Sequence, residues 1–194
     1  MTALTATIFS DFTCPFCYVT EAALWRRADG GDLSVRYRAL ELYPHPSPAP
    51  SPRDEAGWRE EIEPLAVELG LTLRAPDFRP RTRKAHEAAC FAGVRGREQR
   101  LRRALFSAYW QREEDIGRID TIVAIARDAG LDAEELKIAL DIDTHSDEVQ
   151  HDGEIARQLN LPGVPTLYLG LGPGARVLLG AQSLAAIDEA IAGR

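Results

Sequence analysis

Ser10-Asp11-Phe12-Thr13-Cys14-Pro15-Phe16-Cys17-Tyr18 is the stretch on which the reading of this chain turns. It follows a short apolar and Thr-rich run, Leu4 to Phe9, and leads into Val19, Ala22, Ala23 and Trp25. That order predicts strand, turn, helix. Pro15 suits the first helical position, where its fixed φ helps and its missing N–H costs nothing. Cys14 then falls at the N-cap, facing the unpaired N–H groups of the first turn and the positive end of the helix dipole, both of which favour thiolate over thiol. Cys17 lies one turn deeper. The spacing suits a reversible Cys14–Cys17 disulfide, formed and opened by exchange through a mixed disulfide.

Outward from this motif, Leu33, Val35, Tyr37 and Ala39 alternate with Ser34, Arg36 and Arg38, the period of a half-buried strand. A βαβ opening results. Pro44, Pro46, Pro48, Pro50 and Pro52 then occupy every second position, which removes backbone donors and predicts an extended connector. From about Trp58 to Leu159 the pattern is helical, with Ile119, Ile122, Val123 and Ala126 on one face. Gly130 should close that helix, and Asp132 with Glu135 should open the next. Leu161 to Gly170 and Gly172 to Gly180 predict a β-hairpin. Ser183 should cap a last helix carrying Leu184, Ile187 and Ile191.

The organisation expected is therefore residues 1–56 as βαβ and Pro-rich loop, 57–158 as a helical insertion, and 159–194 as ββα. At 194 residues the chain can hold one core with such an insertion.

The net charge of −7 argues against a phosphate-backbone footprint, so no nucleic-acid partner is expected. The local exception, Arg79, Arg81, Arg83, Lys84, Arg95, Arg97, Arg100, Arg102 and Arg103, reads as a solvated helical surface. No export signal and no run of about 18 apolar residues is visible. A cytoplasmic protein that does not span a membrane is expected, and in a reducing compartment a close Cys pair points to catalysis or metal rather than to a staple. Structural zinc wants four ligands and there is no second CxxC. His86 and Cys90, four apart, could complete a site only by coming to the motif, and Cys90 reads better as a packing residue. No metal and no cofactor is expected. Asp11 and Glu21 flank the motif and are residue types that shift thiol pKa values or move protons, but both read as surface or capping residues.

Gly163-Val164-Pro165-Thr166, entering a strand far from the Cys pair, resembles the corresponding segment of thioredoxin-fold proteins. The helical block between βαβ and ββα resembles the DsbA family, and its cytoplasmic FrnE-like branch in particular. The segments Ser10–Tyr18, Thr82-Arg83-Lys84-Ala85-His86, Asp115-Ile116-Gly117 and Gly180-Ala181-Gln182 carry that likeness. The resemblance implies an α/β thioredoxin fold with a large all-helical insertion. It implies a thiol–disulfide oxidoreductase in which Cys14 attacks and Cys17 resolves. Pro165 would be the cis-proline beside the dithiol, and Val164 the residue that pairs with an extended substrate, with Phe16 beside it. Phe16 and the Pro-rich loop depart from the common pattern; many relatives have Trp or His at the former. The partners implied are a disulfide- or thiol-containing protein or small molecule, with glutathione or another low-molecular-weight thiol among them. Glutathione-dependent isomerases and transferases, of the 2-hydroxychromene-2-carboxylate isomerase and kappa-class types, look similar in architecture. They usually have Ser where this chain has Cys14, so retention of both cysteines favours dithiol chemistry. A non-catalytic binder or zinc-held adaptor is the third class. Oligomeric state is not legible.

Overall fold

The computed structural model describes residues 4–31, 33–46, 55–74 and 76–193. The Pro-rich connector is described only as far as Pro46; Pro48, Pro50 and Pro52 lie outside the described residues.

A four-stranded mixed sheet forms the centre. Strands β1 (Leu4–Ser10) and β2 (Leu33–Ala39) pair in parallel and are joined by helix α1 (Pro15–Ala28). Strand β3 (Thr166–Leu169) pairs antiparallel with β1, and β4 (Arg176–Leu179) antiparallel with β3, giving the order β2-β1-β3-β4. β1 is thus central, and Ala6, Ile8 and Phe9 are buried, which explains the apolar positions of this Thr-rich run. β3 and β4 form the hairpin expected from the sequence. Between them the chain passes Gly170 and Gly172 at φ of 94° and 70°, left-handed values that glycine adopts without a Cβ clash.

Between β2 and β3 the described residues form six helices: α2 (Glu55–Glu68), α3 (Arg83–Gly93), α4 (Glu98–Arg112), α5 (Ile119–Asp128), α6 (Ala133–Asp141) and α7 (Ser146–Gln158). Ile122, Val123 and Ala126 of α5 are buried and Ile119 partly so, the apolar face read from their spacing. The Asp132 side chain accepts from the Glu135 N–H and caps α6; the Ser183 hydroxyl accepts from the Ala186 N–H and caps α8 (Leu184–Ala192). Each such cap contributes about 1 kcal/mol.

α1 packs against α8 and β2 in the sheet layer and against α2 and α4 of the helical block. One continuous core results, running from Ile8 and Leu167 of the sheet through Val19 and Leu24 of α1 to Leu105, Phe106 and Trp110 of α4. The N-terminus of α1 therefore lies where sheet and helical block meet. Among the described residues no helix is long and apolar enough to cross a membrane.

Candidate active site

Cys14 sits at the N-cap of α1 in extended conformation (φ −95°, ψ 117°), and its sulfur accepts the Cys17 N–H at 3.3 Å. Pro15 takes the first helical position. The local chemistry follows directly: an N-cap side chain takes up one of the first-turn donors that no carbonyl can reach. Cys14 is 4% exposed and Cys17 wholly buried, and Cys14, Cys17 and Cys90 are all free thiols. The Cys14 thiol donates toward the Val164 carbonyl at 3.7 Å. The Val164–Pro165 peptide is cis, with Val164 half-buried and Pro165 buried. Phe16, also half-buried, occupies the second helical position, its carbonyl accepting the Thr20 hydroxyl at 2.8 Å. The fold thus places Cys14, Cys17 and Val164 together at the join of α1 and β3.

The two thiols differ. Burial, and then the adjacent Cys14, hold the Cys17 thiol well above its ordinary range, with Glu21 adding to the rise; the Asp11 backbone works the other way. Two residues expected to be surface or capping residues lie at the heart of this region. Asp11 and Glu21 are fully buried, because each has a dedicated set of donors.

The Asp11 carboxylate accepts from the Thr13 N–H and hydroxyl, both at 2.7 Å, on one oxygen. Its other oxygen accepts from the Leu42 N–H at 3.0 Å and the Thr82 hydroxyl at 2.8 Å. The His86 ring lies 3.8 Å away, outside hydrogen-bond reach. Burial would raise the Asp11 pKa, but His86 and Thr13 outweigh it and hold the carboxyl down at about 2.

Glu21 belongs to a second cluster. Arg102 grips it with Nε at 2.8 Å and a terminal nitrogen at 2.5 Å, and that nitrogen also reaches the Ser10 hydroxyl at 2.6 Å, which itself donates to Glu21. The guanidinium stacks between Phe12 and Tyr37, 4.7 and 4.6 Å from their ring centroids. The reading of the Arg-rich stretch as solvated surface therefore fails at Arg102, which is 1% exposed. It also needs correction at Arg79 and Arg81, which are half-buried and donate to the Tyr43 hydroxyl and carbonyl. A signal for Arg102 was available: Leu105 and Phe106, three and four residues on, place it on the apolar face of α4.

The segments Thr82–His86 and Asp115–Gly117 of the helical region have structural work. Thr82 is the N-cap of α3 but makes no cap bond with its side chain; its hydroxyl goes to Asp11 instead. Gly117 lies so close to the chain before it that a Cβ there would meet Pro80 at 3.0 Å and the Arg81 carbonyl at 3.1 Å. The Asp115–Gly117 turn thereby backs the segment that delivers Thr82. His86 is buried with neither ring nitrogen hydrogen-bonded, its ring against Phe12 at 4.8 Å. Among the described residues no group of three or more His, Cys, Asp or Glu is placed to hold a metal.

Residues 5–192 match the DSBA-like thioredoxin domain family. The uncharacterized protein YwbO of Bacillus subtilis is 32% identical over 177 residues, covering 87% of this chain and 88% of that protein. The crystal structure of a probable DsbA oxidoreductase from Streptomyces coelicolor superposes with a TM-score of 0.80 at 28% identity, covering 98% of this chain and 91% of its own. A 2-hydroxychromene-2-carboxylate isomerase shares the fold with the same TM-score at 18% identity, covering 97% and 95%.

Proposed function

The chain belongs to the DSBA-like thioredoxin domain family, and from that premise we propose that Cys14 and Cys17 are its redox-active dithiol, Cys14 attacking and Cys17 resolving. The protein is an enzyme acting on thiols or disulfides. The observation that carries the assignment of roles is the asymmetry of the pair. Cys14 holds the helix N-cap and receives a backbone N–H, whereas Cys17 is wholly buried with its thiol pushed up. A first attack needs the sulfur that an incoming disulfide meets at the helix start; the second needs only to reach its neighbour.

In the proposed cycle the Cys14 thiolate displaces one sulfur of a substrate disulfide, forming a mixed disulfide and releasing a substrate thiolate. Cys17 loses its proton and attacks the Cys14 sulfur, and the second substrate thiolate leaves. Two electrons pass from the dithiol to the substrate; the reverse order oxidises a substrate dithiol. Val164, with its carbonyl against the Cys14 sulfur, together with Pro165 and Phe16, borders the place where an extended substrate would lie. Partners are disulfide- or thiol-bearing proteins or small molecules such as glutathione, in a reducing compartment. The FrnE-like branch rests on the sequence segments alone.

The isomerase fold likeness supports a second reading, glutathione-dependent isomerisation. It would give Cys17 no bond to make. The two separate cleanly in one experiment: Cys17→Ser protein treated with glutathione disulfide should hold one glutathione on Cys14, seen as a mass increase, and Cys14→Ser protein none. A Cys17→Ser protein that holds none, alongside turnover of a chromene-type substrate with reduced glutathione, would favour the isomerase.

A further inference from the structure

Asp11 touches the dithiol from one side and the helical block from the other. Its carbonyl accepts the Cys14 N–H at 3.2 Å, so the position of Cys14 is set by where the Asp11 peptide lies. Its side chain accepts four hydrogen bonds from three places: Thr13 in the active-site turn, Leu42 after β2, and Thr82 at the head of α3. Thr82 makes this bond in place of capping its own helix, a cap that would ordinarily be worth about 1 kcal/mol to α3. The next carbonyl, that of Phe12, accepts the Trp110 indole N–H from α4 at 2.9 Å. The turn before the dithiol is therefore fastened to α3 and α4 as well as to its own strand.

We propose that Asp11 is a positioning residue that holds Cys14 in line for attack by Cys17, and so governs the resolution of the mixed disulfide rather than its formation. This rests on the dithiol reading above. The first attack requires only that an incoming disulfide reach the Cys14 sulfur, and the substrate can adjust its approach. Resolution has no such freedom: Cys17 is fixed within α1 and wholly buried, so the angle at which its sulfur meets the Cys14 sulfur depends on the turn that sets Cys14. Intramolecular steps of this kind are the most sensitive to small misplacement. The step itself is balanced: the Cys17 thiolate bonds to the Cys14 sulfur, the bond from Cys14 to the glutathione sulfur breaks, and glutathione leaves as thiolate. The Cys17 proton goes to solvent.

The test loads the reduced full-length protein with glutathione disulfide, quenches with acid at intervals, and follows the protein–glutathione adduct by mass. Asp11→Ala should load at a rate within about twofold of the unaltered protein but resolve roughly tenfold more slowly, the worth of one hydrogen bond to a charged group. Thr82→Val, which removes one of the four donors and leaves the carboxylate, should slow resolution by a smaller factor, roughly threefold. A merely destabilised protein would change both rates together or neither. A folded Asp11→Ala protein that resolves at the unaltered rate would overturn the proposal; should that variant fail to fold, an unaltered resolution rate in Thr82→Val would do the same. Cys17→Ser supplies the reference: if it does not retain glutathione on Cys14, the dithiol reading itself has failed, and this proposal with it.

Discussion

The segment of residues 10–21 and the cleft around Cys90 both bring carboxylates up to a thiol, yet they surround it differently. Beneath the dithiol, Asp11 is satisfied by four donors and Glu21 by Arg102 and Ser10, while Cys14 itself receives a backbone N–H at the start of a helix. Cys90 lies within α3, eight residues into it, where backbone N–H groups are already spent on the helix. It lines a cleft of about 270 Å³ with Glu98, Glu148 and Asp152. Burial and then these three carboxylates push its thiol up to about 12. Cys90 is the more exposed of the two, so position on a helix and the pairing of nearby carboxylates, more than exposure, distinguish the two surroundings.

The strongest way to break this comparison is to exchange the roles of the two sites. Cys14→Ser should abolish exchange with glutathione disulfide, by at least about a thousandfold, whereas Cys90→Ala should leave the rate unchanged; stopped-flow or mass-resolved kinetics would read both. Loss of exchange in the Cys90 variant would end the contrast.

Next in size is the charge pair under the dithiol. Arg102→Met should destabilise the fold by about 3–5 kcal/mol, because Glu21 is then left buried without its cation. Urea unfolding measures this, and a loss below about 1 kcal/mol would mean that Glu21 finds water or another donor.

The cleft makes the opposite prediction. Burial raises the Glu98 carboxyl to about 7, with Glu21 and Asp152 adding to it and Arg102 opposing. A carboxyl whose folded pKa lies above its unfolded one disfavours folding once both are ionised. Its penalty is absent below the unfolded pKa, near 4.3, grows as pH rises through about 7, and then levels off. Glu98→Gln should therefore stabilise the protein by about 2–3 kcal/mol at pH 8 and by much less at pH 4. Equal gains at both pH values would contradict the assignment. Smallest of all, Cys90→Ala should shift stability by about 1 kcal/mol, since a half-buried thiol contributes packing alone.

Much of this was legible in the residues. Helix α1 could be placed because Cys14 and Pro15 combine a capping side chain with the proline preference for the first turn, and α6 and α8 because Asp132 and Ser183 cap through local bonds. Such signals act over three residues. The hairpin was readable for the same reason. Asp11 and Glu21 were not, and Arg102 only through its place on the apolar face of α4, because burial of a charge is decided by its partner, and the partner of Glu21 lies 81 residues away in sequence. Asp11 carried a partial signal: it directly follows a buried strand, and Thr13 stands two residues on, the spacing of a local Asx turn. What could not be seen was that Leu42 and Thr82 would complete its coordination, since that depends on how the helical block docks.

The most direct test of the account is a redox titration of the whole protein in glutathione buffers, with free thiols alkylated and assigned by peptide mass. The account predicts that Cys14 and Cys17 become protected together as the poise turns oxidising, joined in one disulfide, while Cys90 stays alkylatable throughout. Cys14 and Cys17 remaining as free thiols at every poise, or Cys90 disappearing in step with either of them, would contradict it.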